Sequence, residues 1–219
     1  MNLFMEEIKN NFKRILILAP HTDDGEFGCG GTIAKFVKSG KIVFYAAFSL
    51  AEESVPKGYP SNILETEVKN AVHELGIDKN NLLIYRYKVR YFAKYRQEIL
   101  EDLVKLNYTI NPDLVFMPSL NDLHQDHTTI AREGLRALKR TSILCYELPW
   151  NNINFSTNCF ISFNEMELQK KLNALRCYNS QKGRNYASDD FIKSLAITRG
   201  TQIGTKYAEV FEVIRWIIK

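Results

Sequence analysis

A chain of 219 residues is long enough to bury one sizeable core and short for two, so residues 1–219 read as a single domain. Its 45% hydrophobic and 25% charged residues are those of an ordinary globular protein. A net charge of +4 favours small anions slightly but lacks the clustered basicity that nucleic-acid binding requires.

In chain order, strand-like and helix-like segments alternate. Residues 15–19 form an apolar run of buried-strand type, and 29–38 have helical spacing stopped by Gly40. A second strand covers 42–48, and a helix over 64–75 places apolar residues at 64, 68, 71, 72 and 75 before Gly76. A third strand at 82–85 precedes a helix over 97–106. Past the Asn-Pro at 111–112, a fourth strand covers 114–117, a helix 128–138 and a fifth strand 143–147. Residues 150–163 are rich in Asn and aromatics and carry no assigned element. Helices around 165–178 and 189–198 and a strand-like run at 207–217 complete the chain.

This alternation predicts an α/β, Rossmann-like three-layer fold: a mostly parallel sheet with helices on both faces. In a 3-2-1-4-5 strand order, strands 1 and 4 are neighbours at the reversal point, where open α/β sheets bind ligands. The loops following those two strands should therefore face each other.

Four cysteines (Cys29, Cys145, Cys159, Cys177) are widely spaced, with no Cys-x-x-Cys pair, which fits free thiols in a reducing compartment. The opening MNLFMEEIKNNFKR has acids where a signal peptide carries lysines, and VFEVIRWIIK is broken by Glu212 and Arg215, so no membrane span is expected. Cytoplasm is the expected compartment.

The loop after strand 1 reads PHTDDGE, with His21, Asp23, Asp24 and Glu26; the loop after strand 4 reads PSLNDLHQDHTT, with His124, Asp126 and His127. Three of the four histidines lie in these two loops, while His73 sits mid-helix as an ordinary surface residue. Adjacent carboxylates are costly to bring together unless a cation lies between them. Two imidazoles and one carboxylate make a three-ligand zinc-type site with a fourth position free for water. His124 and His127 would share a helix face, and either one could be a ligand or lean over the bound water. Either motif alone is compatible with a helix cap or a surface turn; together, after neighbouring strands, they point to a metal site. GEFGCGG lacks the third glycine of a dinucleotide loop, Ile33 standing in its place, and the Gly-Lys-Ser/Thr of a P-loop is missing.

The paired motifs HTDDGE (21–26) and HQDH (124–127) resemble the PIG-L/LmbE family of zinc-dependent N-acetyl-sugar deacetylases. So do CYNSQ at 177–181 and RGTQIGTKYAEVF at 199–211, and the resemblance runs from about residue 14 to 213. It implies that His21, Asp24 and His127 hold Zn²⁺, with Fe²⁺ or another divalent ion also suited to such a site. It further implies that Asp23 is the general base and that a protonated His124, oriented by Asp126, stabilises the oxyanion. Spacing alone leaves the roles of Asp23 and Asp24 open. The expected partner is a small N-acetyl amino sugar conjugate, and by analogy with the family the chain could form a homo-oligomer.

The stretch FSLAEESVPKGYPSN (48–62) departs from the Gly-Thr-rich segment of members acting on small thiol precursors. Arg90 could grip a carboxylate or phosphate on the aglycone, and Trp150 could stack on a sugar face. Glu52 and Glu53 read as solvated acids, Arg199 and Glu209 as a bracing pair, and Cys29 as a core-facing thiol. Two other functions fit the same pocket: a sugar-binding module without turnover, and a metallohydrolase acting on phosphate esters, which usually uses two metals.

Overall fold

The structure is a computed structural model describing residues 12–218; the N-terminal segment read above as unlike a signal peptide lies largely outside the described residues. The strands are β1 (Arg14–Ala19), β2 (Ile42–Ala47), β3 (Leu82–Ile84), β4 (Leu114–Pro118), β5 (Ser142–Tyr146), β6 (Cys159–Phe163) and β7 (Tyr207–Arg215). The α-helices are α1 (Asp24–Lys38), α2 (Ile63–Leu75), α3 (Arg96–Ile110), α4 (Gln125–Ala137), α5 (Glu165–Arg176) and α6 (Asp189–Thr201).

The strands form one sheet in the order β3-β2-β1-β4-β5-β7-β6. The first five run parallel, in the expected 3-2-1-4-5 order, and β7 pairs antiparallel with both β5 and β6. Strand β6 falls inside the stretch left without an element. It is a short edge strand whose residues are mostly half-buried, too little burial to impose a strong apolar pattern on its sequence.

β1 shows why the central strands read as continuous apolar runs. Ile15, Ile17 and Ala19 point into a core shared with Ile33 of α1, Val68 of α2 and Leu172 of α5. Leu16 and Leu18 point the other way, into a core with Leu103 of α3 and Ile130 of α4. Successive side chains of a strand alternate between faces, and here both faces are covered. The four cysteines are free, as their spacing suggests. Among the described residues, no helix is long and apolar enough to cross a membrane.

The first helix starts at Asp24, five residues earlier than its spacing predicts, because close packing holds a glycine-rich turn helical against its own weak propensity. A Cβ built on Gly28 would lie 2.4–2.8 Å from Cδ2, Cγ and Cβ of Tyr146. That ring is fully buried, and its hydroxyl donates to the Leu18 carbonyl at 3.0 Å. Gly28→Ala is therefore expected to destabilise by about 1–2 kcal/mol, overpacking outweighing the gain in helix propensity. Calorimetry should show Tm falling by roughly 2–8 °C; an unchanged or higher Tm would mean that the Tyr146 ring yields freely.

Candidate metal centre

Strand β1 delivers His21 and strand β4 delivers the loop to His124, and because β1 and β4 are paired the two loops meet. The Asp24 carboxylate accepts from the His21 peptide N–H at 2.8 Å, which folds the Asp back over the loop. Asp24 Oδ2 lies 3.3 Å from His21 Nδ1 and 3.2 Å from His127 Nε2, and those two nitrogens are 3.2 Å apart. Three ligands at roughly 2.0–2.1 Å from one tetrahedral zinc stand about 3.3 Å from each other, so this triangle fits such an ion. His124 is close as well: one ring nitrogen from each of His21, His124 and His127 can be chosen so that all lie within 4.8 Å of one another.

The charges match this geometry. Burial opposes the Asp24 charge, but His127 and His21 outweigh it and hold the carboxyl far below the usual range. Burial likewise opposes a charged His127, yet Asp24 and Asp122 raise it to about 10. Asp23 goes the other way: burial first, then the Asp24 charge, push it up to about 6 against the pull of His21 and Arg184. Two adjacent aspartates thus differ in kind: one is held ionised by the imidazoles, and the other is raised by burial and by its neighbour's charge.

His124 caps α4, its Nδ1 accepting the Asp126 N–H at 3.2 Å. That bond assigns the proton of a neutral imidazole to Nε2. Burial, followed by the nearby His127 and His21 charges, lowers its pKa to about 4, which favours the neutral form where the resemblance implies a protonated one. The Asp126 carboxylate does not reach His124. It bonds His21 Nε2 at 3.1 Å and accepts the peptide N–H groups of Arg90 at 2.6 Å and Phe92 at 3.3 Å. Asp126 therefore orients His21 through its side chain and His124 only through its backbone.

Sequence reasoning missed three supports. Asp122 accepts from His127 Nδ1 at 2.8 Å and from the His124 N–H at 2.8 Å, turning His127 Nε2 toward Asp24. Its signal was present, an acid five residues before His127, since a histidine that holds a metal usually has a carboxylate behind it. The other two are Tyr45 and Tyr178, whose hydroxyls reach both the Thr22 carbonyl (2.9 and 2.6 Å) and the Glu26 carboxylate, Tyr178 at 2.9 Å from Oε1. Glu26 is fully buried, and burial raises it to about 8 despite these donors. Through the two tyrosines it fastens the loop. Tyr178 belongs to CYNSQ, which explains that stretch; the Tyr45 contact has no local signal.

The triangle opens on a cavity of about 230 Å³ lined by Asp23, His124, Arg90, Trp150, Arg184 and Tyr186, among others. Arg90 sits at φ 69°, a left-handed conformation strained for a residue with a Cβ. Its N–H on Asp126 and its carbonyl, which accepts from Gln125 Nε2 at 2.6 Å, hold it there. Its guanidinium reaches Ser54 Oγ at 3.2 Å and has no carboxylate partner among the described residues. Trp150 stacks on Tyr186 (4.2 Å, 15°), so one of its faces is already covered.

Glu52 and Glu53 are exposed and face Arg86 and Lys88. His73 is exposed, and Cys29 is buried with its thiol on the Gly25 carbonyl. Arg199 and Glu209 do not pair with each other. Arg199 binds Glu147, and Glu209 binds Lys171, because those partners come from neighbouring elements while β7 carries Glu209 toward α1.

A doubly covered α/β sheet with a histidine–carboxylate triangle at its reversal point defines a candidate metallohydrolase centre. The model of the PIG-L family, GlcNAc-PI de-N-acetylase, matches residues 16–138, and the chain belongs to that family. It is 25% identical to the diacetylchitobiose deacetylase of Thermococcus kodakarensis over 91% of this chain and 82% of that protein. It is 27% identical to a probable N-acetyl-α-D-glucosaminyl L-malate deacetylase of Bacillus subtilis, covering 77% of this chain and 83% of the relative. Among solved structures, an N,N'-diacetylchitobiose deacetylase from Pyrococcus horikoshii superposes with a TM-score of 0.75 at 21% identity (95% of this chain, 86% of that one). A 4-carboxy-2-hydroxymuconate hydratase from Pseudomonas putida does so with 0.74 at 16% (94% and 98%), so the fold by itself does not fix the reaction.

Asp122→Asn is expected to weaken Zn²⁺ binding about 10–100-fold in chelator competition, because His127 loses its orienting carboxylate. Wild-type affinity in that variant would show that His127 holds its orientation unaided.

Proposed function

We propose that this chain is a divalent-metal-dependent hydrolase that removes the N-acetyl group from an N-acetylated amino sugar or its conjugate, releasing acetate and a free amine. The observation that carries the reading is the triangle of His21, Asp24 and His127 with Asp23 lining the same cavity. Membership of the family and the deacetylase names of the relatives support it.

His21 Nδ1, Asp24 Oδ2 and His127 Nε2 would hold the ion, Zn²⁺ by donor type and Fe²⁺ as an alternative. When bound, it lowers the pKa of water and polarises the acetyl carbonyl. Asp23 would take a proton from the attacking water as the water oxygen bonds to the carbonyl carbon. His124 donates its Nε2–H to the carbonyl oxygen as negative charge collects there. The C–N bond then breaks while Asp23 returns the proton to the departing nitrogen, which is a poor leaving group without it.

The cavity is small, so a large conjugate would extend past its rim, where Arg90 meets whatever the sugar carries. An anionic aglycone suits that arginine. The phosphate-ester reading lacks support, since one group of three or more potential ligands is found among the described residues. A binding module without turnover would need no base beside the ligands.

The test is a panel of neutral and anionic N-acetylglucosamine conjugates, with new primary amine and acetate as readouts. His127→Ala should lose the ion. Asp23→Asn should keep it and lose about 10²–10⁴ in kcat. If Asp23→Asn strips the ion and Asp24→Asn does not, the two roles are exchanged; if the metal-loaded wild type binds sugars and releases no amine from any of them, the protein is a binding module. Arg90→Gln should raise KM for anionic conjugates about two- to fivefold and leave neutral ones unchanged; equal effects on both would remove Arg90 from recognition.

A further inference from the structure

Helix α1, which carries Asp24, is broken. Cys29 lies at φ −148°, ψ 24°, outside the helical region, so the turn from Asp24 to Gly28 is separate from the segment that follows. In an unbroken helix the Gly31 N–H would bond the Phe27 carbonyl. Here the Gly31 N–H donates to Glu209 Oε1 at 2.9 Å and the Thr32 N–H to Glu209 Oε2 at 2.7 Å. The Phe27 carbonyl accepts from Lys171 Nζ at 2.7 Å. Lys171 Nζ and Glu209 Oε1, 2.7 Å apart, close the circuit. An ion pair from α5 and β7 stands between the Phe27 carbonyl and the N–H groups of Gly31 and Thr32.

Lys171 is 4% and Glu209 6% exposed. Gly30 makes the passage, since a Cβ there would come within 2.9 Å of Lys171 Cγ. A buried ion pair is a poor device for stability, because apolar residues of similar volume often do as well or better. Its location suggests a different job. The short first turn of α1 has Asp23 and Asp24 at one end and the Phe27 carbonyl at the other. The tyrosine pair fastens it at Thr22 and Glu26; Lys171 fastens it at Phe27.

We propose that Lys171 and Glu209 are positioning residues: by holding α1 open at Cys29, they set the direction of the turn that presents Asp23 and Asp24 to His21 and His127. This rests on the metal-dependent reading of the site. It also gives the family-like stretch 199–211 a task, performed by Glu209 from β7 without touching the ligands.

The double variant Lys171→Met/Glu209→Leu tests it, since it removes both charges and strands neither. The control is Arg199→Met/Glu147→Leu, which removes a different ion pair lining the same small cavity as Phe27, Lys171 and Glu209. Four measurements apply: thermal melting, hydrogen exchange in peptides covering 22–28 and 33–38, Zn²⁺ affinity by chelator competition, and kcat and KM. The double variant should melt cooperatively, exchange faster at 22–28 than wild type with little change at 33–38, and bind Zn²⁺ about tenfold or more weakly. Its kcat should fall with KM within about threefold, as expected for a misdirected base, while the control keeps wild-type exchange and affinity. Wild-type exchange at 22–28 together with wild-type Zn²⁺ affinity in the double variant would overturn the proposal, as would equal losses in the control.

If the double variant does not melt cooperatively, Glu209→Gln takes its place, since the amide oxygen keeps an acceptor but no longer neutralises the ammonium. Weaker Zn²⁺ binding with faster exchange at 22–28 then supports the proposal, and no change in either overturns it. A wild type that binds Zn²⁺ but deacetylates nothing defeats the deacetylase reading alone, with exchange and affinity still deciding the positioning role. If the wild type binds no Zn²⁺, the exchange at 22–28 decides it.

Discussion

Asp24 Oδ2 faces two imidazole nitrogens at 3.2 and 3.3 Å, and much of the architecture serves that convergence. The two nitrogens belong to residues 106 positions apart, so no local preference could bring them together. The pairing of β1 with β4 does so, and that pairing exists because both strands are apolar enough to be buried on two faces. The apolar layers thus act on the site indirectly. They fix where two polar loops must end.

Once there, the acids are separated by what each one faces. Asp24 faces imidazoles, Asp122 backs one of them, Asp126 backs the other, and Glu26 faces tyrosine hydroxyls. Glu209 faces an ammonium and two peptide N–H groups. Five buried carboxyls can coexist in this region because each has its own donors; an acid left without them would raise its pKa and change role. Asp23 differs in what raises it: after burial, the largest contribution is the charge of its neighbour Asp24, which lifts it to about 6.

The sequence made the sheet order and the meeting of the two loops legible because both follow from long-lived patterns: apolar runs for doubly covered strands and the rule that ligands gather at the reversal point. It concealed features decided by tertiary contacts. α1 begins among glycines, where propensity argues against a helix, and is held by Tyr146, Lys171 and Glu209. Pairing Arg199 with Glu209 was natural for two opposite charges in one stretch, but their partners lie on β5's exit and α5. Asp126 lies next to His127 and two residues from His124, yet its carboxylate crosses to the other loop. Residue types foretold which side chains converge at the centre better than the wiring behind them.

One further connection joins the rim to the centre. The loop after β4 is laced to the loop after β5 by the Leu123 N–H on the Asn151 carbonyl, 3.1 Å, and by a bridge between Asp122 and Asn152. Trp150, on the cavity wall, and Asp122, behind His127, are therefore parts of one ribbon. Replacing the residues around Trp150 would pull on the segment that orients the His127 imidazole. The cavity wall and the support behind His127 are tied together through the backbone of these two loops.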